Sequence, residues 1–212
     1  MRPDANLNHQ DILNMIRTPE MTNFTEAGYP IIEPQSVDIE EVNPIRFTYA
    51  KSMKDKNSWI HFFIQDFQFN RVWNTPRKYV NVLAEFNGVL SPDFSMFTDM
   101  PRPLQQFNHY RKQWCGAYWQ AHNIPVIPTV SWADETSFDF CLEGIPKHNP
   151  IAVSSLGCLK NVDARRVFYK GYEKALDELE PTGIVLYCAR SYVEDVKAVS
   201  RGIPIKLIEY VY

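Results

Sequence analysis

The sequence predicts an α/β fold of repeated βα units with parallel strands, in a small or incomplete TIM-barrel-like architecture; an open wound parallel sheet is the alternative. Three observations lead there. From Trp59 onward, short apolar, β-favouring runs alternate with segments of helical periodicity. Only a crossover returns a chain to pair in the same direction, so the alternation argues for parallel strands. Neither a G-x-G-x-x-G after the first such run nor a P-loop is present, which removes the fingerprints that would favour a nucleotide-binding open sheet.

The elements follow in order. Residues 1–58 are polar and interrupted by Pro3, Pro19, Pro30, Pro34 and Pro44, which reads as an extended N-terminal arm laid over a single α/β domain at 59–212. Within the arm, Asn6 or Asn8 is placed to cap a short helix through Ile16, and Ile45 to Ala50 alternates as a half-buried strand would. Trp59 to Ile64 is the first dense strand. A helix is expected from Phe69 to Phe86, with Pro76 in a first turn and Asn87-Gly88 as its stop. Val89 to Ser91 is the second strand. Pro101 and Pro103 open a longer helix to about His122, with Leu104, Phe107, Trp114, Tyr118 and Ala121 on one side. Pro125 to Val130 is the third strand, followed by a short helix from Ser137 to Leu142 that closes at Gly144. Ile151 to Ser155 is the fourth strand, Ala164 to Leu179 an amphipathic helix, and Ile184 to Cys188 the fifth strand. A last helix over Val193 to Ser200 and a sixth strand over Pro204 to Glu209 complete the chain.

Composition restricts the function classes. With 22 Lys+Arg against 25 Asp+Glu, the formal net charge of −3 lacks the basic excess that concentrates a phosphate backbone. Nucleic acid is therefore not supported by charge, although a fragment of it stays among the conceivable ligands. No apolar run approaches the roughly 20 residues of a membrane-spanning helix, and the N-terminus lacks the order of a signal peptide, so a cytoplasmic protein without membrane contact is expected. The four cysteines, Cys115, Cys141, Cys158 and Cys188, follow neither a C-x-x-C clip nor a disulfide framework and read as reduced thiols. The 14% aromatic content demands either a large aromatic core or an aromatic-lined site.

In parallel architectures, function collects at the carboxyl ends of the strands. That rule selects Asp66, Asp93 and Asp134 as candidate catalytic carboxylates, and Ser95, Trp132, Ser154, Ser155 and Arg190 as candidate ligand-binding residues. Converging carboxylates act as general acid and base, or hold a divalent cation through hard oxygen ligands; the sequence leaves the cofactor unknown. Each has a plainer reading. Asp134, three residues before Ser137, would cap a helix, and Asp93 or Ser95 would satisfy turn amides after Pro92. Asp66 directly follows an apolar strand, where a carboxylate must be paired, hydrogen-bonded or functional. Trp114, Trp119 and Trp132 suit a core better than a platform. His61 lies within an apolar strand as a core histidine, and no histidine is spaced to activate Cys158. Lys112, Arg111, Lys160, Arg165 and Arg166 read as a solvated basic surface.

The strings HFFIQDFQFNRVW (61–73), GVLSPDFSMFTDMP (88–101), PVIPTVSWADETSFDFCLEGIP (125–146) and IAVSSLGC (151–158), with Tyr110, Arg111 and Trp114 in between, resemble the domain of unknown function 4417 family over roughly residues 59–188. The resemblance implies a phage, plasmid or other mobile-element context and brings no activity, substrate or catalytic assignment. It places Asp66, Asp93, Ser95, Trp132 and Asp134 in shared motifs. Two functions are expected from the residues: a strand-end ligand-binding or hydrolase-like pocket for a nucleotide, sugar or nucleic-acid fragment, or a non-catalytic accessory protein that binds a protein partner.

Overall fold

A computed structural model describes residues 13–15, 17–18 and 23–210. The helix start expected at Asn6 or Asn8, and its end at Ile16, lie outside the described residues. The strands are β1 (Pro44–Arg46), β2 (Trp59–His61), β3 (Gly88–Leu90), β4 (Val126–Ile127), β5 (Thr129–Val130), β6 (Ile151–Ser154), β7 (Ile184–Ala189) and β8 (Ile205–Tyr210). The helices are α1 (Asp66–Phe69), α2 (Arg71–Asn74), α3 (Pro76–Leu83), α4 (Arg102–Ala121), α5 (Val162–Leu179) and α6 (Val193–Val199).

Two four-stranded parallel sheets result, in the order β1-β2-β3-β4 and β5-β6-β7-β8. They meet at Pro128, which interrupts the expected strand 125–130. Proline has no N–H to give a ladder, so the run divides: Val126–Ile127 pairs with β3 and Thr129–Val130 pairs with β6. Ser91 ties the two halves together, accepting the Thr129 N–H on its Oγ at 2.7 Å and the Thr129 hydroxyl on its carbonyl at 2.5 Å.

Strand order follows sequence order without reversal. Residues along the strands alternate between two buried faces, one of which lies under the helices. Trp59, Leu90, Ile127, Ala152, Val185 and Tyr187 share one buried cluster that draws on both sheets. Their strand neighbours Ile60 and Val89, and Val153 and Leu186, pack outward under the helices, as strand alternation requires. Rings at the end of β2 and just after it meet β7: Tyr187 lies 5.5 Å from His61 and 5.1 Å from Phe63. Among the described residues no ladder joins β8 to β1. The turn at Ile39–Glu41 lies there instead, with Lys206 donating to the Glu40 carbonyl at 2.8 Å.

Several elements differ from the sequence reading. The helix expected over Phe69 to Phe86 is three short ones, because Pro76 cannot continue a helix already running and Thr75 leaves helical dihedrals (φ −138°). In place of a helix from Ser137 to Leu142 there is a 3-10 turn at Glu135–Ser137 followed by i to i+3 bonds such as Phe140 N–H to the Ser137 carbonyl at 3.2 Å. The strand expected from Ile45 to Ala50 is β1, paired in parallel with β2, followed by a 3-10 turn at Phe47–Tyr49. Leu104, expected inward on α4, is exposed. The chain before Trp59 is pinned at several points: Ile32 donates to the Gly144 carbonyl at 2.9 Å and Gln35 accepts the Val126 N–H at 2.7 Å.

The aromatic excess is mostly core. Trp114, Tyr118 and Trp119 of α4 are wholly buried, with Trp114 stacked on Tyr118 at 4.6 Å and Trp119 on Phe62 at 5.4 Å. His61 is buried as expected; burial, helped by Arg46, lowers its pKa to about 3, and it accepts the Phe63 N–H on Nδ1.

Candidate functional site

The carboxyl ends of β2, β3 and β5 deliver Asp66, Asp93 and Ser131, and α4 runs beside them. Its first half turns polar side chains inward: Gln105, Asn108, His109 and Lys112 are all buried. A helix face of this kind meets the polar ends of strands, where amides and side chains offer partners that an apolar core lacks.

Lys112 is the central member. It is 1% exposed, and its ammonium donates to Ser131 Oγ at 3.0 Å. Burial drives its pKa down to about 8, against the pull of Asp93 and then Cys141. Burial likewise drives the Asp93 carboxyl up to about 6; Lys112 and a hydrogen bond from Ser131 oppose the rise, and Asp66 adds to it. Ser131 thus stands between an ammonium and a carboxylate whose pKa values both move towards neutrality, the arrangement that suits proton exchange near pH 7.

A second network adjoins it. Asp66 opens α1 and accepts the Ser95 hydroxyl at 2.8 Å and the Ser95 N–H at 3.2 Å. The Ser95 carbonyl accepts from Asn108 at 2.5 Å, and Arg111 donates to Asn108 Oδ1. The Arg111 guanidinium lies 3.9 Å from the centroid of the Phe94 ring and donates to Asn70 at 3.3 Å. Phe94 is therefore core under a cation, whereas Phe97 is exposed.

Asp66, Asp93 and Ser95 are brought together; the remaining candidates are engaged elsewhere. Asp134 caps the 3-10 turn, accepting the Thr136 N–H at 2.9 Å and its hydroxyl at 2.6 Å. Ser155 is buried against β7, its hydroxyl donating to the Tyr187 carbonyl at 3.3 Å, and Ser154 accepts the Leu156 N–H at 3.2 Å. Arg190 is exposed at the start of a 3-10 turn. Burial, and then Asp93, raise the Cys158 thiol to about 11, the opposite of what a nucleophilic thiolate needs. Trp132 packs against Phe168 at 5.7 Å and against Gly171 of α5, where an added Cβ would come within 2.3 Å of the indole. Gly171→Ala is accordingly expected to cost about 1–3 kcal/mol through overpacking, read by urea unfolding.

Lys112, Ser131, Asn108 and Arg111 are the residues that strand-end reasoning passed over. Lys112 had a signal: it lies four residues after Asn108 and seven before Trp119, on the same helical stripe. Among the described residues, no group of three or more His, Cys, Asp or Glu side chains is placed to hold a metal ion. Two surface grooves flank Phe138, the larger lined by Glu135, Lys170, Glu173, Lys174, Asp177 and Glu178, and neither includes Asp66, Asp93 or Lys112. No helix among the described residues is long and apolar enough to cross a membrane.

Comparison with known proteins adds a family. The Gene 1 protein of Mycobacterium phage L5 is 36% identical over 187 residues, covering 88% of this chain and 81% of that protein. The Gene 1 protein of Mycobacterium phage D29 is 38% identical over 137 residues, 65% of this chain and 51% of that protein, so the match spans about half of the D29 protein. No solved structure matches the chain. The family model described as "Domain of unknown function (DUF4417)" matches residues 24–210, extending the resemblance seen at 59–188 in both directions. The chain belongs to the DUF4417 family.

Proposed function

We propose that the strand-end cluster is a ligand-binding, hydrolase-like site on an incomplete TIM-barrel-like scaffold, with Asp93 as the group that exchanges protons and Asp66 and Ser95 shaping its flank. The observation that carries this reading is Lys112. Placing an ammonium in a wholly buried position is costly unless it is paired and hydrogen-bonded, and this one reaches the strand ends to bond Ser131 beside Asp93. Perturbed, oppositely charged groups at the carboxyl ends of parallel strands are a recurrent mark of functional sites. The ligand class is a nucleotide, a sugar or a short nucleic-acid fragment, polar enough to meet the carboxylates and the ammonium together.

A thermal-shift screen of mononucleotides, oligosaccharides and short oligonucleotides tests it. At least one class is expected to raise the melting temperature of the wild type, and Asp93→Asn is expected to lose that rise. No rise with any class would defeat the reading.

A second reading has one observation in its favour. The loops and helix starts that follow the strands expose Phe67, Phe97, Leu104 and Leu156, which suits a docked protein partner. That accessory role predicts partner binding that survives Asp93→Asn but falls when Phe67 and Phe97 become serine.

A further inference from the structure

We propose that Ser131 is a nucleophile for acyl transfer, held between the Lys112 ammonium and the Asp93 carboxylate. This deepens the hydrolase-like reading above and rests on it. The geometry is a relay centred on one oxygen. Lys112 donates to Ser131 Oγ at 3.0 Å, and Ser131 in turn hydrogen-bonds the Asp93 carboxylate. A hydroxyl that accepts from a cation and donates to an anion is polarised in the direction that ionisation requires. The ammonium stabilises the alkoxide as it forms, and the carboxylate receives its proton. Ser131 and Asp93 are partly exposed residues, whereas Lys112 is buried. Among the described residues the Ser131 hydroxyl meets the side chains of Lys112 and Asp93, whereas the hydroxyls of Ser155, Ser137 and Ser91 serve backbone groups.

The substrate class is a carboxylic ester or amide. Ser131 Oγ adds to the carbonyl carbon as its proton passes to Asp93. The bond from that carbon to the leaving oxygen or nitrogen then breaks, and the leaving group takes the proton from Asp93. Water repeats the sequence on the acyl-serine, releasing a carboxylic acid and restoring the hydroxyl. Both charges must be present, so the rate should rise as Asp93 ionises near 6 and fall as Lys112 deprotonates near 8. The groups that act on this pair are Asp66 and Cys158 beside Asp93, and Cys141 and His109 beside Lys112.

A fluorophosphonate probe tests the step directly, since attack forms a Ser131 Oγ–P bond and expels fluoride, with the hydroxyl proton going to Asp93. Intact-mass and peptide mapping should find one adduct, on Ser131, abolished by Ser131→Ala. Its rate should follow a bell between the two limbs and fall by about a hundredfold in Asp93→Asn. Lys112→Met should slow it as well; if that variant does not fold, the wild-type pH profile and Ser131→Ala carry the test. No adduct, an adduct elsewhere, or a rate that climbs steadily through pH 8 would overturn the proposal. A polar ligand that still raises the melting temperature while no adduct forms would sink the nucleophile alone and leave the binding site standing.

Discussion

Lys112→Met is expected to lower stability at pH 7 by about 3–5 kcal/mol, because it leaves the desolvated Asp93 carboxylate without its cation. For a chain of this size that is roughly a 10 °C fall in melting temperature. The effect should depend on pH with a definite sign. Asp93 has a folded pKa raised from 3.8 to about 6, so its favourable contribution is complete below 3.8 and is lost as pH rises through 6. Lys112 has a folded pKa lowered from 10.5 to about 8, so its contribution is complete above 10.5 and is lost as pH falls through 8. Between about 6 and 8 both are charged, and each depends on the other. At pH 5 the mutant holds a neutral carboxyl while the wild type holds an unpaired ammonium. The loss on mutation should therefore shrink or change sign there. Asp93→Asn combined with Lys112→Met should recover much of the deficit, since no buried charge remains. Urea unfolding of the four proteins at pH 5 and pH 7 gives the full cycle. Equal losses at both pH values, with strictly additive mutations, would mean that the two groups do not interact.

Trp119→Ala should be about as damaging, at about 3–5 kcal/mol, for an unrelated reason. The indole is wholly buried in α4 and stacked on Phe62, with rings 19° apart in plane, so truncation leaves a cavity that strands and helix cannot both close upon. Because α4 also carries Asn108, Arg111 and Lys112, ligand response should fall with stability although no residue of the cluster has changed. Leu104→Ala, on the same helix but exposed, should stay within about 0.5 kcal/mol of the wild type. Equilibrium denaturation and the thermal-shift response of the two variants, measured side by side, check both statements.

The sequence announces its parallel strands because each is a dense apolar run bounded by turn residues, and it announces where polar groups must gather because strand ends are where those runs stop. Asp66, Asp93 and Ser95 follow from that logic and are found together. What is harder to read is whether a polar residue in a helix faces water or the interior. Lys112 carries the same charge as the solvated Lys170 and Lys174, and only its stripe with Asn108, Cys115 and Trp119 sets it apart. Asp134 shows the converse. Its position after an apolar strand resembles that of Asp66, yet the Thr136 amide two residues on absorbs its carboxylate in a cap. Proline also hides information, since Pro128 reads as part of one strand while its missing N–H divides the ladder between two sheets.

The proposed site depends on the charge state of the Asp93–Lys112 pair, which heteronuclear NMR measures without a substrate. Side-chain carbon shifts of Asp93 and nitrogen shifts of Lys112, assigned with Asp93→Asn and Lys112→Met, would be followed from pH 4 to pH 11. The expected result is an Asp93 titration near 6 and a Lys112 titration near 8, each displaced when the other is removed. An Asp93 that titrates at its ordinary 3.8 and a Lys112 at its ordinary 10.5, each indifferent to the other's loss, would mean that the two do not form a coupled site.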